Sequence, residues 1–311
     1  MSIVVFVEQW NGAFKKASFE AVNYAAKWAE MSGTDVVAIT ANGANPEELG
    51  KYGATTVKTL DLANTAHGVA MQLAELSQGA EGLVIAGTSF GRSLAPAVTV
   101  KTNGSLSTNT TSTPLSTAPL QVNRGTFSAK GIQTVELTGF PVVCFVPNAI
   151  GYQENAGSAA VESASAAGND LLETVEVNVA TGKISLPEAD IVVSAGRGLK
   201  GPENWGMIES LAEVLGAATA CSKPVSDVGW RSHAEHVGQT GIQVNPNLYI
   251  AVGISGAIQH LAGVSASKTI VVVNTDPEAP FFKAADYGVV GDAFDVIPKL
   301  TESLKAHKAN Q

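Results

Sequence analysis

Short apolar runs alternate with amphipathic stretches along the first hundred residues. The runs at 3–7, 36–40 and 82–87 have the length and continuous apolar character of strands buried in a parallel sheet. Two stretches, 17–31 and Ala66–Leu76, repeat apolar residues at helical spacing. Strands that alternate with helices in this way predict an α/β fold with a mostly parallel sheet covered on both faces.

Residues that typically begin and end helices add a further prediction. Pro46 at a first helical position and Gly53 as a stop predict a short helix over 46–52, with Asn45 as its N-cap. Apolar residues at helical spacing predict another helix at 94–100.

Beyond residue 101 the first half is richer in small and polar residues. Ser, Thr and Asn dominate 102–117, which predicts a loop or an edge region. Apolar runs at 134–137 and 142–146 predict two strands. The Ala, Ser and Gly-rich segment 156–168 predicts a loop or linker, and 171–184 predicts strand-like material that closes the first domain.

The alternating pattern begins again at Asp190. Ile191–Ala195 predicts a strand, and a glycine turn and a helix over 205–220 follow it. Leu248–Val252 and 269–273 predict two further strands. We therefore expect two α/β domains, residues 1–187 and 188–311, of which the second has a doubly wound parallel sheet.

Composition narrows the classes of protein that fit this pattern. The chain has 311 residues, 45% of them hydrophobic, and 19 basic against 28 acidic residues give a net charge of −9. An acidic balance argues against nucleic acid as a partner, because phosphate backbones bind basic surfaces. Charged residues make up only 15% of the chain, so we expect part of the surface to be covered by a partner chain.

Two cysteines, Cys144 and Cys221, are too few for a disulfide framework and favour a reducing compartment. The N-terminal residues predict a strand and carry no targeting pattern. The longest apolar stretch, 248–263, is interrupted by polar residues and does not predict a membrane span. The expected location is cytoplasmic, without membrane insertion.

Gly196-Arg-Gly-Leu-Lys-Gly201 follows a predicted strand and matches the spacing of dinucleotide-binding loops. A nicotinamide-binding fold also needs an acidic residue about 20 positions later, at the end of the next strand. Asp227 has no predicted strand before it, which argues against that type of site. A tight turn with a solvated Arg197 fits the same residues about as well.

Two further glycine-containing loops carry groups that could bind a ligand. In His236-Val-Gly-Gln-Thr-Gly241, an amide and a hydroxyl could bond a heteroaromatic ring edge, although such a pattern alone is more often a turn. Residues 253–260 follow a strand, and Ser255 as a helix cap would create a seat for an anion. Ala257 excludes a nucleophile elbow, which requires GxSxG.

Histidines do not form a metal-binding pattern. His233 and His236 stand three residues apart, but no cysteine or carboxylate nearby completes a zinc ligand set. His260 fits a structural role or that of a hydrogen-bond donor that gains charge as a ring atom gains an electron. We predict no metal and no catalytic residue in this chain.

Five segments of the second half, taken together and in order, resemble the FAD-binding domain of electron transfer flavoprotein α subunits. They are VVSAGRGLKGPENW, ACSKPVSDVGW, HVGQTG, LYIAVGISGAIQHLAG and VNTDPEAPFFKAADYGVVGD. The resemblance covers residue 191 to about residue 300. It is looser over the first domain, where it depends on the α/β pattern and on short segments such as LGKYGA and TSFGRSLAP.

The resemblance implies a cofactor, FAD, and a partner, the β subunit of a heterodimer. It places Arg197, Gln239, Thr240 and His260 near the flavin ring. The full set of FAD-binding residues that it implies is Arg197, Ser222, Lys223, Val237, Gly238, Gln239, Thr240, Ser255, Gly256, Ala257, Ile258, Gln259, His260, Asn274, Asp292 and Ala293.

Two positions depart from the family pattern. Lys223 stands where many members carry Arg, and Ile242 stands where a Lys often follows the TG pair. Arg and Lys differ in planarity and hydration, so this exchange bears on the electrostatics of the flavin. We expect Lys223 to retain the positive charge with fewer fixed hydrogen bonds.

The expected function is that of an electron carrier in fatty acid β-oxidation. It takes electrons from flavin dehydrogenases, such as acyl-CoA dehydrogenases, and passes them to a membrane quinone oxidoreductase. One alternative is the α subunit of an electron-bifurcating complex that oxidises NADH. Less favoured are a nicotinamide-dependent dehydrogenase and a flavin-free homologue.

Overall fold

A computed structural model describes residues 1–168, 172–176 and 185–309 of the chain. These residues form two compact units, each with its own sheet and core. The first unit comprises Met1–Phe127 and Gly131–Val179, and the second comprises Ser128–Lys130 and Ala180–Gln311. In the described part of the chain, no helix has both the length and the hydropathy needed to cross a membrane.

The first unit contains three α-helices and two groups of strands in its described residues. The helices are α1 (Lys16–Ser32), α2 (Ala66–Leu76) and α3 (Ser89–Lys101), and a 3-10 helix spans Pro46–Tyr52. The strands are β1 (Ser2–Val7), β2 (Gln9–Trp10), β3 (Ala13–Phe14), β4 (Asp35–Ala41), β5 (Thr56–Leu60), β6 (Gly82–Ala86), β7 (Ser105–Thr110), β8 (Ser116–Thr117), β9 (Leu120–Thr126), β10 (Gly131–Leu137), β11 (Pro141–Phe145) and β12 (Ala160–Ser163).

The main sheet of this unit has the order β10-β9-β7-β11-β6-β1-β4-β5-β12, with β8 paired to β9. Neighbours from β7 to β12 along this order run parallel, and the β9 and β10 end is antiparallel. Alternate residues of β1 face opposite cores: Val5 packs with α1, whereas Phe6 packs with α2 and α3. The predicted α/β fold with a mostly parallel sheet, covered on both faces, is confirmed.

One predicted loop or edge region turns out to contain an interior strand. Within 102–117, strand β7 lies between β11 and β9 in the sheet. Its Ser107 and Thr110 are fully buried, and their hydroxyl oxygens lie 2.8 Å apart in a hydrogen bond. Because the two polar side chains satisfy each other, a polar sequence can occupy a buried position.

The predicted linker at 156–168 also contains a strand, β12, which extends the sheet in parallel with β5. All four of its residues are exposed, so the strand is held by backbone bonds and carries no apolar pattern that would predict it. Of the predicted strand-like segment 171–184, residues 172–176 form no strand, and the rest lies outside the described residues.

The second unit has five strands in its described part, and all of them are parallel. The strands are β13 (Ile191–Ala195), β14 (Ala218–Cys221), β15 (Leu248–Val252), β16 (Thr269–Asn274) and β17 (Tyr287–Val290). The helices are α4 (Gly206–Leu215), α5 (Lys223–Asp227), α6 (Ile258–Leu261) and α7 (Ala293–Ala309). Short 3-10 helices span Leu186–Glu188, Arg197–Leu199, Pro202–Trp205, His233–Glu235 and Pro280–Ala284.

The strand order β14-β13-β15-β16-β17 makes the sheet doubly wound, because the chain moves from β13 to one side and then returns to the other. Alternate residues of β15 again face two cores. Ile250 packs with α4 and α7, whereas Tyr249 packs with Phe281 and Val264 from short or irregular segments. The predicted doubly wound parallel sheet is confirmed.

The predicted helix over 205–220 is shorter than expected. It ends at Leu215, where Gly216 adopts a left-handed φ of 65°, and β14 follows at Ala218. Ala217 and Ala218 continue the apolar helical pattern, so the strand could not be separated from the helix by periodicity. This correction places a strand directly before Ser222.

Candidate functional site

The carboxyl ends of β13, β14, β15 and β16 meet at one edge of the second sheet. Among the described residues, two cavities of about 520 and 190 Å³ open at this edge, and Gly253 lines both. The chain reverses its winding between β13 and β15, and ligands of open α/β sheets bind at such a point.

Most residues implied by the family resemblance line one of the two cavities. The large cavity is lined by Arg197, Ser222, Lys223, Val237, Gly238, Gln239, Thr240, Ser255, Ala257, Gln259 and His260. The small cavity is lined by Asn274, Asp292 and Ala293. Gly256 and Ile258 line neither, and Gly256 packs instead against Phe281.

Glycines allow the loops after β13 and β15 to touch. Gly198 donates its backbone N–H to the carbonyl of Gly253 over 3.1 Å. A Cβ on Gly253 would lie 2.8 Å from the Cα of Gly198, and Gly253 has a φ of 60°. The GRGLKG segment therefore packs its backbone against a second loop, which a side chain would prevent.

Backbone hydrogen bonds hold the 236–241 turn at the wall of the large cavity. Val237 donates to the carbonyl of Cys221 over 3.0 Å, Gln239 to that of Gln259 over 2.7 Å, and Ile242 to that of His236 over 2.8 Å. These bonds leave the side chains of Gln239 and Thr240 exposed at the cavity. The turn is therefore fixed while its polar groups stay available to a ligand.

The two cations of the large cavity have different surroundings. Arg197 is exposed, and its guanidinium has no hydrogen bond or ion pair with any described residue. Lys223 places Nζ 3.0 Å from Oδ1 of Asp227, one helical turn away on α5. Arg197 therefore keeps its full donor capacity, whereas Asp227 offsets part of the charge of Lys223.

The corrected position of β14 also changes the argument about nicotinamide. The strand ends at Cys221 and Ser222 follows it, so the place of the ribose-binding acid is taken by a serine. Asp227 lies at the far end of α5 and is paired with Lys223. The expectation that no strand precedes Asp227 was wrong. The end of β14 nevertheless carries no acidic residue that could bind a ribose, which still argues against a nicotinamide site.

His260 is buried in the wall of the large cavity, with 6% of its surface exposed. Its Nε2 lies 2.9 Å from the hydroxyl of the fully buried Tyr249, and its Nδ1 has no hydrogen bond within the described residues. Burial, and to a smaller extent His236, lowers the pKa of His260 to about 4, although the backbone carbonyl of Val237 faces the ring and acts in the opposite direction. The imidazole is therefore neutral near neutral pH.

Ser255 does not cap a helix, contrary to the expectation. Helix α6 begins at Ile258 and is only four residues long, and Ala257 stands at its N-cap without a side-chain bond. The carbonyl of Ser255 accepts instead from the backbone N–H of Phe281 over 3.1 Å. The hydroxyl of Ser255 stays at the cavity, but no long helix dipole adds to it.

In the small cavity, Asn274 and Asp292 also serve as structural anchors. Asn274 donates from Nδ2 to the carbonyl of Ile254 over 3.0 Å. The Asp292 carboxylate accepts from the backbone N–H of Phe294 over 3.0 Å and pairs with Lys200 at 3.4 Å. The Phe294 N–H first, and then Lys200, lower the pKa of the Asp292 carboxyl.

Several lining residues lie outside the predicted set. His236, Asp227, Pro224 and Gly253 line the large cavity, and Lys200 lines the small one. All of them stand within the segments that carry the resemblance, so proximity in sequence to those motifs was the available signal.

The sequence motifs gave no sign of an ion pair that precedes His236 in the chain. Arg231 donates to both carboxylate oxygens of Glu235, at 2.7 and 2.9 Å, and also to Glu209 at 3.0 Å. Its guanidinium lies 5.3 Å from the ring centre of Trp205. The pair braces the segment that leads into His236.

Among the described residues, no group of three His, Cys, Asp or Glu side chains is placed to hold a metal ion.

Comparison with known proteins assigns both halves of the chain. Residues 3–169 match the model of the electron transfer flavoprotein domain, and residues 185–265 match that of the electron transfer flavoprotein FAD-binding domain. The second match spans the loops that line most of the large cavity. FAD is therefore the cofactor of the family domain that forms this unit.

Relatives named electron transfer flavoprotein subunit alpha align over nearly the whole chain. The protein of Syntrophomonas wolfei is 39% identical over 97% of this chain and 98% of its own length. That of Thermoanaerobacterium thermosaccharolyticum is 37% identical over 98% of both, and that of Bacillus subtilis is 35% identical over 97% of both. On this evidence the chain belongs to the electron transfer flavoprotein α-subunit family.

Proposed function

We propose that this chain is the α subunit of a heterodimeric electron carrier, which holds one FAD in the large cavity and its small neighbour. In this proposal it accepts electrons from flavin dehydrogenases, such as the acyl-CoA dehydrogenases of fatty acid β-oxidation, and passes them to a membrane quinone oxidoreductase. The observation that carries the proposal is the cavity at the winding reversal of the second sheet, where the Arg197 guanidinium has no described partner and the Nδ1 of His260 makes no close hydrogen bond.

The residues present suit FAD in their chemistry. Gly198 and Gly253 bring backbone close to the cavity, where a Cβ would collide. Arg197 and Lys223 supply positive charge for a phosphate or for an electron-rich ring edge. The buried Nδ1 of His260, which has no described partner, would gain a hydrogen bond from a ligand in this cavity.

The redox chemistry is that of FAD, and the protein supplies binding and electrostatics. Gln239 and Thr240 would bond the edge of the flavin ring, and His260 would lie beside it. Arg197 and Lys223 would raise the local positive potential, which favours the reduced cofactor. Asn274 and Asp292 would lie toward the adenosine end, in positions already fixed by their own hydrogen bonds.

A covering partner is part of the same proposal. The relatives named above are called subunits, and we propose a β subunit as the second chain of the heterodimer.

Both cysteines, Cys144 and Cys221, are free and buried, and burial raises the pKa of their thiols to about 11 and about 12. Free thiols are compatible with a reducing compartment, so we place the complex in the cytoplasm.

The test is an anaerobic visible-spectrum titration of this chain purified together with its β partner. NADH is added first and dithionite second, and flavin is counted per heterodimer. One FAD that does not react with NADH but is reduced by dithionite and by an acyl-CoA dehydrogenase with its substrate supports the carrier.

The other outcomes separate the alternatives. Two FAD molecules with direct bleaching by NADH would identify the α subunit of an electron-bifurcating complex. Absence of flavin together with NADH binding would favour a nicotinamide-dependent protein. Absence of both would leave the glycine loops with a packing role alone.

A further inference from the structure

We propose that Tyr249 is the positioning residue for His260: its phenol donates to Nε2 and so holds the imidazole with its proton on Nδ1, the nitrogen offered to FAD. The part of this inference that concerns FAD depends on the proposed function. The part that concerns the imidazole is a property of the chain itself.

The contact between the two side chains is enclosed on the protein side. Tyr249 comes from β15 and is fully buried, and its hydroxyl oxygen lies 2.9 Å from Nε2 of His260. Phe281 is also fully buried, stacks on Tyr249 at 6.3 Å between ring centres and meets the His260 ring edge-on at 5.7 Å. The imidazole is therefore held by one close hydrogen bond and by ring contacts with both Tyr249 and Phe281.

The direction of the hydrogen bond follows from the hydrogen-bonding capacity of the phenol. A tyrosine hydroxyl has one proton to donate, whereas a neutral imidazole has one donor and one acceptor nitrogen. The Ser194 hydroxyl makes no close hydrogen bond, but it faces the phenol and acts to lower its pKa, as a donor to the phenol oxygen does. With Ser194 on the donor side, Nε2 of His260 at 2.9 Å is the acceptor for the Tyr249 proton.

This direction sets the state of the other nitrogen. When Nε2 accepts, the proton of the neutral ring must be on Nδ1. Nδ1 is buried and makes no close hydrogen bond with a described residue. The backbone carbonyl of Val237 faces the ring and favours its protonation, and both residues line the large cavity. His260 therefore contributes a neutral donor to the cavity, while Arg197 and Lys223 contribute its positive charges.

The first measurement is the protonation of the ring nitrogens in the heterodimer. The chain has five histidines, which are labelled with ¹⁵N in the ring, and His260 is assigned by its disappearance in His260→Gln. Long-range ¹H–¹⁵N correlations near neutral pH should show Nδ1 protonated and Nε2 unprotonated. A protonated Nε2 in the wild type would overturn the proposal, whether or not any variant folds.

The second measurement compares Tyr249→Phe with Tyr287→Phe, which removes the same hydroxyl from a tyrosine that is 67% exposed on β17. Tyr249→Phe should give a mixture of His260 tautomers and weaken FAD binding about five- to tenfold. Reduced FAD should lose more affinity than oxidised FAD, so the reduction potential falls. Tyr287→Phe should change none of these quantities.

The readouts separate the two proposals. Unchanged ring spectra and an unchanged potential in Tyr249→Phe would refute the positioning role. A wild-type heterodimer without flavin would instead refute the proposed function, and with it the role of Nδ1 toward FAD, while the ring spectrum would still decide the tautomer.

Discussion

The backbone N–H of Gly198 donates to the carbonyl of Gly253 over 3.1 Å, and this bond joins the loops that follow β13 and β15. The two loops bound the point at which the second sheet reverses its winding. Their approach leaves no room for a side chain at either position. The base of the proposed FAD site is therefore a contact between two stretches of backbone.

The close approach predicts the effect of a single methyl group. Gly253→Ala combines a left-handed φ with a Cβ 2.8 Å from the Cα of Gly198, so the free energy of unfolding should fall by about 2 kcal/mol or more. Urea unfolding of the heterodimer measures it. Gly206→Ala is the matched control, because its Cβ meets nothing within 4 Å, and it should leave the midpoint equal or higher.

Arg197 should matter for the cofactor but not for folding. Its guanidinium has no described partner within the chain, so Arg197→Gln should leave the unfolding midpoint of the flavin-free protein unchanged. Loss of a charged hydrogen bond to FAD should raise the dissociation constant about 10- to 100-fold. Fluorescence titration with FAD measures the constant, and Lys299→Gln, a change of exposed charge on α7, should leave it unaffected. An equal loss in both variants would contradict a specific role of Arg197.

The Lys223 and Asp227 pair predicts opposite shifts of the flavin potential. Asp227→Asn leaves the Lys223 charge uncompensated and should raise the potential, whereas Lys223→Gln should lower it, each by about 20–60 mV. The double variant should return close to the wild type. Potentiometric titration at low and high salt tests this, since both groups are about half exposed and screening should shrink the shifts. A potential that does not move in Lys223→Gln would refute the electrostatic role of this residue.

The burial of His260 predicts a dependence of stability on pH. The pKa of His260 falls from 6.5 to about 4 on folding, so the unfolded chain binds a proton that the folded chain does not. The contribution of His260 to the free energy of unfolding is fully present above pH 6.5. It is lost as the pH falls toward 4, by about 3 kcal/mol in total. His236, whose pKa burial also lowers, contributes with the same sign.

Urea midpoints measured across this pH range test the prediction. His260→Gln should flatten the decline, and His307→Gln, which alters an exposed residue of α7, should not. A wild-type midpoint that is constant between these pH values would show that His260 is not neutral by burial.

The elements that the sequence predicted correctly are those whose residues follow a clear local pattern. β1, β13 and β15 are continuous apolar runs, and α2 has the predicted bounds. The strands that the sequence did not predict lack such a pattern. β7 is polar, and its buried Ser107 and Thr110 satisfy each other by a hydrogen bond. β12 is exposed along its length, and β14 continues the apolar spacing of α4.

For the site, the order of the five motifs in the sequence was sufficient to name FAD and most of the residues that line the two cavities. The loops that carry the motif residues are short and contiguous in sequence, so the local sequence retains this information. The partner of His260 was not available in that way. Tyr249 has the appearance of an ordinary core residue of β15, since nothing in a strand pattern distinguishes a phenol that packs from one that donates a proton.

What the sequence alone determined is thus the class of fold, the family and the loops that form the proposed site, because these depend on residues close together in the chain. The tertiary structure decided which loops touch and which groups have partners. Gly198 meets Gly253, Asp227 offsets part of the Lys223 charge, and the Nε2 of His260 bonds Tyr249 while its buried Nδ1 makes no close hydrogen bond. These are properties of distance and burial in a parallel sheet, whose strands bring residues far apart in sequence to one edge.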